Sequence, residues 1–142
     1  MKDLARFIPS KGRKKKIRAD GSLKYNAFLP NPKDMGTSFV VTDNMKEEEI
    51  WATADEHICS VNTGPIQDRG DIAAADVASE GLELMDDKAF RGHRNAKGWP
   101  VAKEEQQKVA KVLAEKATPI VRPSDSDSER SEGESAVSGK TD

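Results

Sequence analysis

The chain has 142 residues, of which 35% are hydrophobic and 34% are charged, and its formal net charge is −2. This length is typical of one domain, and the high charged share predicts that part of the chain stays outside the core. No apolar run approaches the roughly 20 residues of a membrane-spanning helix, so no membrane partner is expected. The single cysteine, Cys59, excludes an intrachain disulfide. A lone thiol and an N-terminus without the pattern of a secretory signal favour a cytoplasmic location.

Charge divides the chain into three parts. Residues 1–27 hold nine basic and two acidic residues, residues 28–122 hold twelve and seventeen, and residues 123–142 hold two and six. We therefore expect a basic N-terminal segment over 1–27, partly packed on a compact α+β domain over 28–121. The acidic, serine-rich remainder, 122–142, has too little apolar surface to repay the entropy of ordering and is expected to be disordered.

The predicted elements begin with a turn at Asp20-Gly21, which would join Ile17 and Leu23 in a tight turn or hairpin. Residues 38–42 are β-branched and aromatic and predict a strand. A helix is expected over about 45–59, with Asn44 as its N-cap and Glu47 as the capping-box partner.

The second half of the domain reads as shorter elements followed by one long helix. A short strand is expected over 66–75, a helical turn up to Gly81, and an edge strand over 82–85. Residues 86–100 are interpreted as a loop, and about 101–117 as an amphipathic helix. The sequence thus predicts a small α+β domain with a few short strands and two main helices.

The strongest charge signal is the basic run near the N-terminus. A run of this kind is typical of a phosphate-binding surface, on which Phe7 and Tyr25 would stack against bases. The alternative is a solvated arm that keeps the protein soluble or binds an acidic protein. The basic residues of the run are Lys11, Arg13, Lys14, Lys15, Lys16 and Arg18.

The predicted loop 90–100 is a second candidate site. It places three cations, Arg91, Arg94 and Lys97, together with His93 between Phe90 and Trp99. Loops held by a rigid scaffold often carry binding residues, so this loop would contact an anion. The alternative is a structured surface loop that Trp99 anchors by packing.

An enzyme is the rival interpretation. His57 and His93 are the two histidines of the chain, and either would serve as acid or base on a phosphate-containing substrate, with Arg91 and Arg94 steadying the charge. This requires these groups to share one cleft. Cys59 lies two helical positions from His57, on a different side of the helix, and is expected to be a small buried residue. No spacing typical of a metal site occurs, and no cofactor is expected.

Several fragments of the chain together resemble a group of short, uncharacterised bacterial proteins. These are residues 6–13, 20–30, 48–51 and 98–100, and the likeness spans about residues 4–116. The resemblance implies a bacterial, cytoplasmic protein with an independently folding domain. It carries no activity and no catalytic residue to this chain.

We therefore expect a binding protein rather than an enzyme. Its partner would be a polyanion, nucleic acid above all, or an acidic protein, with the basic run supplying affinity and the loop 91–97 a more specific contact. A third possibility is a component of a larger assembly. The acidic tail would in addition screen the basic run until a stronger anion displaces it. The sequence does not determine an oligomeric state.

Overall fold

A computed structural model describes residues 3–123. Six strands form one antiparallel sheet in the order β4-β5-β2-β1-β3-β6. With the helices below, this confirms the predicted α+β class. The strands are β1 (Asp3–Pro9), β2 (Thr37–Val41), β3 (Ile66–Ala73), β4 (Glu83–Asp86), β5 (His93–Lys97) and β6 (Thr118–Val121). Of the tail predicted over 122–142, residues 124–142 lie outside the described residues, whereas Arg122 is bonded to Asp55.

Within residues 3–123, three α-helices accompany the sheet, two of them where the sequence predicts helices. The first is extended by one π-helical turn, Ala54–Ile58, and this kind of local insertion is frequent at functional sites. Two 3₁₀ turns, Arg13–Lys15 and Tyr25–Ala27, interrupt the segment between β1 and β2. The α-helices are α1 (Glu47–Thr53), α2 (Ala74–Ala78) and α3 (Lys103–Lys116).

Helix α1 begins later than predicted. Asn44 has a φ of 63° and is therefore in the left-handed region, which is not the extended conformation of an N-cap. Lys46 is the N-cap residue instead, and its backbone N–H donates to the carboxylate of Glu49 at 2.7 Å. The acidic first turn still places negative charge at the positive end of the helix dipole.

Strand β1 is an interior strand that the sequence analysis did not predict. It lies between β2 and β3, so the predicted basic N-terminal segment, residues 1–27, contributes a strand to the middle of the sheet. Its side chains alternate between the two faces: Leu4 and Ile8 enter one core, and Ala5 and Phe7 enter the other. All four are buried, because both faces of the sheet are covered.

The two cores differ in size. The larger one packs α3, α2 and the segment between β1 and β2 against one face, and it contains Phe28, Phe39, Trp99 and Leu113. The smaller one packs α1 and the π-helical turn against the other face around Trp51. Arg69, only 2% exposed, lies 4.8 Å above the Trp51 ring, where Glu47 and Asp71 neutralise its charge.

The interpretation of 86–100 as one loop is wrong for its second half. Residues His93–Lys97 form β5, which pairs with β2 on one side and β4 on the other. The polar sequence of this strand hid its position, because His93 and Asn95 are buried by their neighbours in the sheet. Trp99 is buried in the larger core and donates its indole N–H to Ala96, as a packing anchor does.

Candidate functional site

The sheet has a fork between β1 and β2. These strands pair only through Leu4 with Val41 and Ala5 with Val40, whereas β1 stays paired with β3 along its whole length. Beyond Ala5, β2 diverges from β1. A fork of this kind leaves backbone groups of both strands without ladder partners, so something else must satisfy them.

Arg6 spans this fork with its guanidinium. Its Nε donates to the carbonyl oxygen of Ala27 at 2.8 Å, and its Nη1 donates to the carbonyl oxygen of Ser38 at 3.1 Å. The side chain therefore joins β1 to β2 at a point where their backbones no longer meet. Both acceptors are neutral, so Arg6 makes these bonds without losing its positive charge.

A small cavity opens at the fork, and we call it the fork pocket. Its volume is about 120 Å³. Polar groups enter it from three parts of the chain, and apolar side chains from β1, β2 and the π-helical turn form the rest of its wall. The residues that matter for its chemistry are Arg6, Lys16 and Ser38, beside Phe7, Val40 and Ile58.

The cations of the fork pocket are poorly solvated. Burial lowers the pKa of Arg6 to about 10. The pKa of Lys16 is also lowered, mainly by burial and further by the positive charge of Arg6. Among residues 3–123, neither cation forms an ion pair with a carboxylate. Both therefore lack the counter-charge that would compensate their desolvation.

Four other arginines among residues 3–123 do have such partners. Arg13 contacts Asp68 at 2.8 Å and Arg69 contacts two acids. Arg94 contacts Asp86 at 3.5 Å, and Arg122 contacts Asp55 at 2.7 Å. The fork pocket thus departs from the pattern of the surrounding domain, where a carboxylate accompanies a partly buried guanidinium.

The hydroxyl of Ser38 connects the fork pocket to a buried histidine. Its Oγ is hydrogen-bonded to Nε2 of His93, which is 9% exposed. On the other side of the ring, Nδ1 lies 3.3 Å from the carboxylate of Asp87 but makes no hydrogen bond. The order serine, histidine, aspartate is that of a nucleophile, its base and an orienting acid, although the last hydrogen bond is not formed.

Phe90 lies between the two histidines. Its ring stacks on His57 with centroids 4.2 Å apart and planes 3° apart, and it meets His93 at 4.9 Å and 39°. The structure therefore brings both predicted histidines into one cluster. They do not share a proton path, because an aromatic ring separates them.

A second, larger cavity lies on the His57 side of this cluster. Its volume is about 640 Å³, and His57, Arg91 and Arg94 line it together, as the enzyme hypothesis requires. Asp43 and Glu49 line it as well. Arg94 is also 3.5 Å from Asp86, so acids offset part of this pocket's positive charge.

The basic run is ordered, and half of its cations serve the fold. Lys11 donates to the carbonyl oxygen of Val61, and Arg18 donates to the carbonyl oxygen of Leu23 at 2.9 Å. Arg13 is paired with Asp68. Lys14 and Lys15 are exposed on the 3₁₀ turn, and their side chains form no such bond within residues 3–123.

The remaining predicted binding residues are dispersed. Tyr25 is half-buried beneath Lys111 and lines a separate pocket with Arg18. Lys97 donates to the carbonyl oxygen of Asp34 at 2.8 Å. Phe7, 5% exposed, packs against Trp51 and does not present a face on which a base would stack. Trp99 is likewise a core residue, so it offers no surface to a ligand.

Cys59 is exposed, which contradicts the prediction of a buried thiol, because the π-helical turn directs the chain outward there. Sequence analysis also missed Arg6, Ser38 and Asp87. Only Arg6 left a signal, as a lone cation within the apolar stretch of residues 4–8. Ser38 becomes a neighbour of His93 only when β2 and β5 pair, and Asp87 does so only when β4 and β5 pair.

Comparison with known proteins gave no family model, no curated protein and no solved structure that matches the chain. Within residues 3–123, no helix has the length and apolar character to cross a membrane. The same part of the chain contains no group of three or more histidine, cysteine or acidic residues placed to hold a metal ion.

Proposed function

We propose that the protein binds a polyanion, nucleic acid above all, through the ordered basic turn at residues 11–16. The observation that carries this proposal is the pair of exposed lysines, Lys14 and Lys15, on a 3₁₀ turn. No ion pair with an acid involves either of them within the described chain. Exposed cations of this kind neutralise phosphates and release their counterions.

Preorganisation of the turn supports the proposal. The backbone N–H of Ser10 donates to Pro65 and that of Lys11 to Thr63, both at 3.1 Å, so the turn is fastened to the segment that precedes β3. The ion pair of Arg13 with Asp68 adds a side-chain anchor. Binding a polyanion would therefore not require this segment to become ordered, and less affinity would be lost to entropy.

The loop beside β5 contributes fewer cations to the proposed binding surface than the sequence suggested. Arg94 and Lys97 already have partners in the domain, which leaves Arg91 as its exposed cation. Arg91 lines the larger cavity with His57, and we place the second part of the binding surface at this exposed arginine.

Titration of a fluorescently labelled single-stranded oligonucleotide with the full-length protein tests the proposal. We expect saturable binding at about 20 mM salt. The logarithm of the affinity should fall linearly with the logarithm of salt concentration, with a slope of about −2 to −3 for three or four phosphate contacts. Absence of binding at low salt to single-stranded and double-stranded DNA and RNA would exclude the nucleic-acid form of the proposal. Binding to heparin alone would then identify a general polyanion site.

A second candidate is an enzyme that acts on a phosphate-containing substrate. The observation in its favour is the larger cavity that His57, Arg91 and Arg94 line together. His57 would act as acid or base there, since His93 is behind Phe90. Hydrolysis of p-nitrophenyl phosphate or bis-p-nitrophenyl phosphate that is lost in His57→Ala and retained in His93→Ala would support it. Equal rates for all three proteins would exclude it.

A further inference from the structure

We propose that the fork pocket binds one tetrahedral oxyanion, the phosphate group of a small ester or inorganic phosphate, between Arg6 and Lys16. The site uses Lys16, at the end of the basic turn, but neither of the exposed lysines Lys14 and Lys15, and it does not depend on binding of a polyanion. The ligand of the fork pocket would enter a cavity between β1 and β2. A polyanion, in contrast, would contact the exposed lysines of the basic turn.

The charge of the pocket is the first argument. Two cations line the same cavity, and each is partly withdrawn from water. The Coulombic repulsion between them is not relieved by any carboxylate in residues 3–123. Retaining two close cations without an acid costs stability, and a bound dianion would remove that cost. Within residues 3–123 the protein supplies an acid for Arg13 and Arg69 but none for the two cations of this pocket.

Hydrogen-bond capacity is the second argument. A guanidinium has five N–H donors, and Arg6 uses two of them, on Ala27 and Ser38. Its Nη2 group is therefore still available to an acceptor. Lys16 makes no side-chain hydrogen bond within the described chain, so its three donors remain as well. Because Arg6 is held in place by its backbone bonds, its remaining donors are preorganised, as bidentate recognition of a phosphate requires.

The size of the cavity is suited to a small ligand. A volume of about 120 Å³ is sufficient for a tetrahedral anion. Phe7, Val40 and Ile58 form apolar parts of the wall. An apolar wall lowers the local dielectric constant and strengthens the attraction between the anion and the two cations. The remainder of an ester would have to lie outside the pocket.

Ser38 supplies a third polar group, and His93 controls its direction. A serine hydroxyl has one proton, so Ser38 can donate to the anion only if Nε2 of His93 donates to Ser38. The buried ring fixes Nε2 at the hydroxyl, and Asp87 lies near Nδ1 on the opposite side. Ser38 and His93 are therefore positioning residues for the anion, and no covalent step is assigned to them.

Titration of the ¹⁵N-labelled full-length protein with inorganic phosphate, at constant ionic strength and with chloride as the reference anion, tests the site. We expect saturable shifts of the amide signals of residues 6, 16 and 38. Lys16→Met keeps the length of the side chain but removes its charge and should weaken binding about tenfold or more. Ser38→Ala should weaken it by a smaller factor, about threefold. Arg6 is not substituted, because it also holds the strands together.

The matched control is Lys14→Met, which removes the same charge from the neighbouring exposed turn. It should change phosphate affinity by less than about twofold and yet weaken oligonucleotide binding, so the two proposals fail independently. If phenyl phosphate binds with the same affinity as inorganic phosphate, the ligand is a phosphate ester. If only inorganic phosphate binds, the ligand is the free ion. Non-saturable shifts, or equal losses in Lys14→Met and Lys16→Met, would overturn the proposed site.

Discussion

The guanidinium of Arg13 contacts the carboxylate of Asp68 at 2.8 Å, and this ion pair fastens the basic turn to β3. The two residues differ in environment, because Asp68 is buried whereas the Arg13 side chain is 45% exposed. The hydrogen bond from Arg13, with its Coulombic attraction to Asp68, raises the pKa of the guanidinium. One cation of the predicted phosphate-binding run thus has a structural role, and its neighbours Lys14 and Lys15 remain for a ligand.

Arg13→Ala is expected to destabilise the domain. It leaves the carboxylate of Asp68 buried with no other side-chain partner, at a cost of about 1–3 kcal/mol in the free energy of unfolding. Urea denaturation followed by circular dichroism measures this change. Lys14→Ala, which removes an exposed cation from the same turn, should change it by less than about 0.5 kcal/mol. Equal stabilities of the two variants would show that the ion pair does not anchor the turn.

Gly70→Ala tests the packing of the segment between β1 and β2 against the sheet. A Cβ atom at Gly70 would lie 2.8 Å from Cδ1 of Leu23 and 3.3 Å from Cζ of Phe28. Both neighbours are buried, so they can move only by disturbing the larger core. We expect a loss of about 1–3 kcal/mol in the free energy of unfolding, measured by urea denaturation.

The exposed position Gln67, on the same strand, provides the control for Gly70. Gln67→Ala should leave the free energy of unfolding within about 0.5 kcal/mol of the wild type. A Gly70→Ala protein as stable as Gln67→Ala would mean that this segment is not closely packed on β3.

Lowering the pH should remove the contribution of Asp55 to the free energy of unfolding. Hydrogen bonds from Arg122, with a Coulombic contribution, lower the pKa of this carboxyl below its ordinary 3.8. A pKa that is lower in the folded state gives stability that is present above pH 3.8 and is lost as the pH falls through the folded-state pKa. Asp55→Asn should therefore be less stable than the wild type at pH 7, and the difference should shrink towards pH 3.

Urea denaturation of both proteins between pH 7 and pH 3 checks the contribution of Asp55. Glu104→Gln, on the exposed first turn of α3, should differ little from the wild type at each pH. A difference between wild type and Asp55→Asn that stays constant down to pH 3 would contradict the assigned pairing with Arg122.

The elements that the sequence predicted are those with a local signal. Strand β2 has a β-branched and aromatic composition, and α3 has an apolar stripe that ends before Thr118-Pro119. The capping pattern of Asn44 and Glu47 predicted helix α1, but Asn44 is left-handed and the helix begins later, at Glu47. Each of these signals comes from residues close together in the chain, so it can be read without the fold.

The candidate site depends on contacts between distant residues, and for this reason most of it was not predicted. Ser38 and His93 meet only because β2 pairs with β5, and Arg6 faces the fork only because β1 lies inside the sheet. The proximity of His57 to His93 was raised as a possibility, but Phe90 between them was not foreseen. Strand β5 itself was hidden by its polar composition.

Reversing the charges of Lys14 and Lys15 tests most directly whether these two lysines bind a polyanion. Lys14→Glu/Lys15→Glu is compared with Lys103→Glu/Lys108→Glu on α3, since both double variants change the net charge equally. Oligonucleotide affinity is measured for each across a series of salt concentrations. We predict a loss of at least about tenfold at low salt for the first variant, a salt slope reduced by about one to two, and less than about threefold loss for the second. Equal losses for the two variants would contradict the claim.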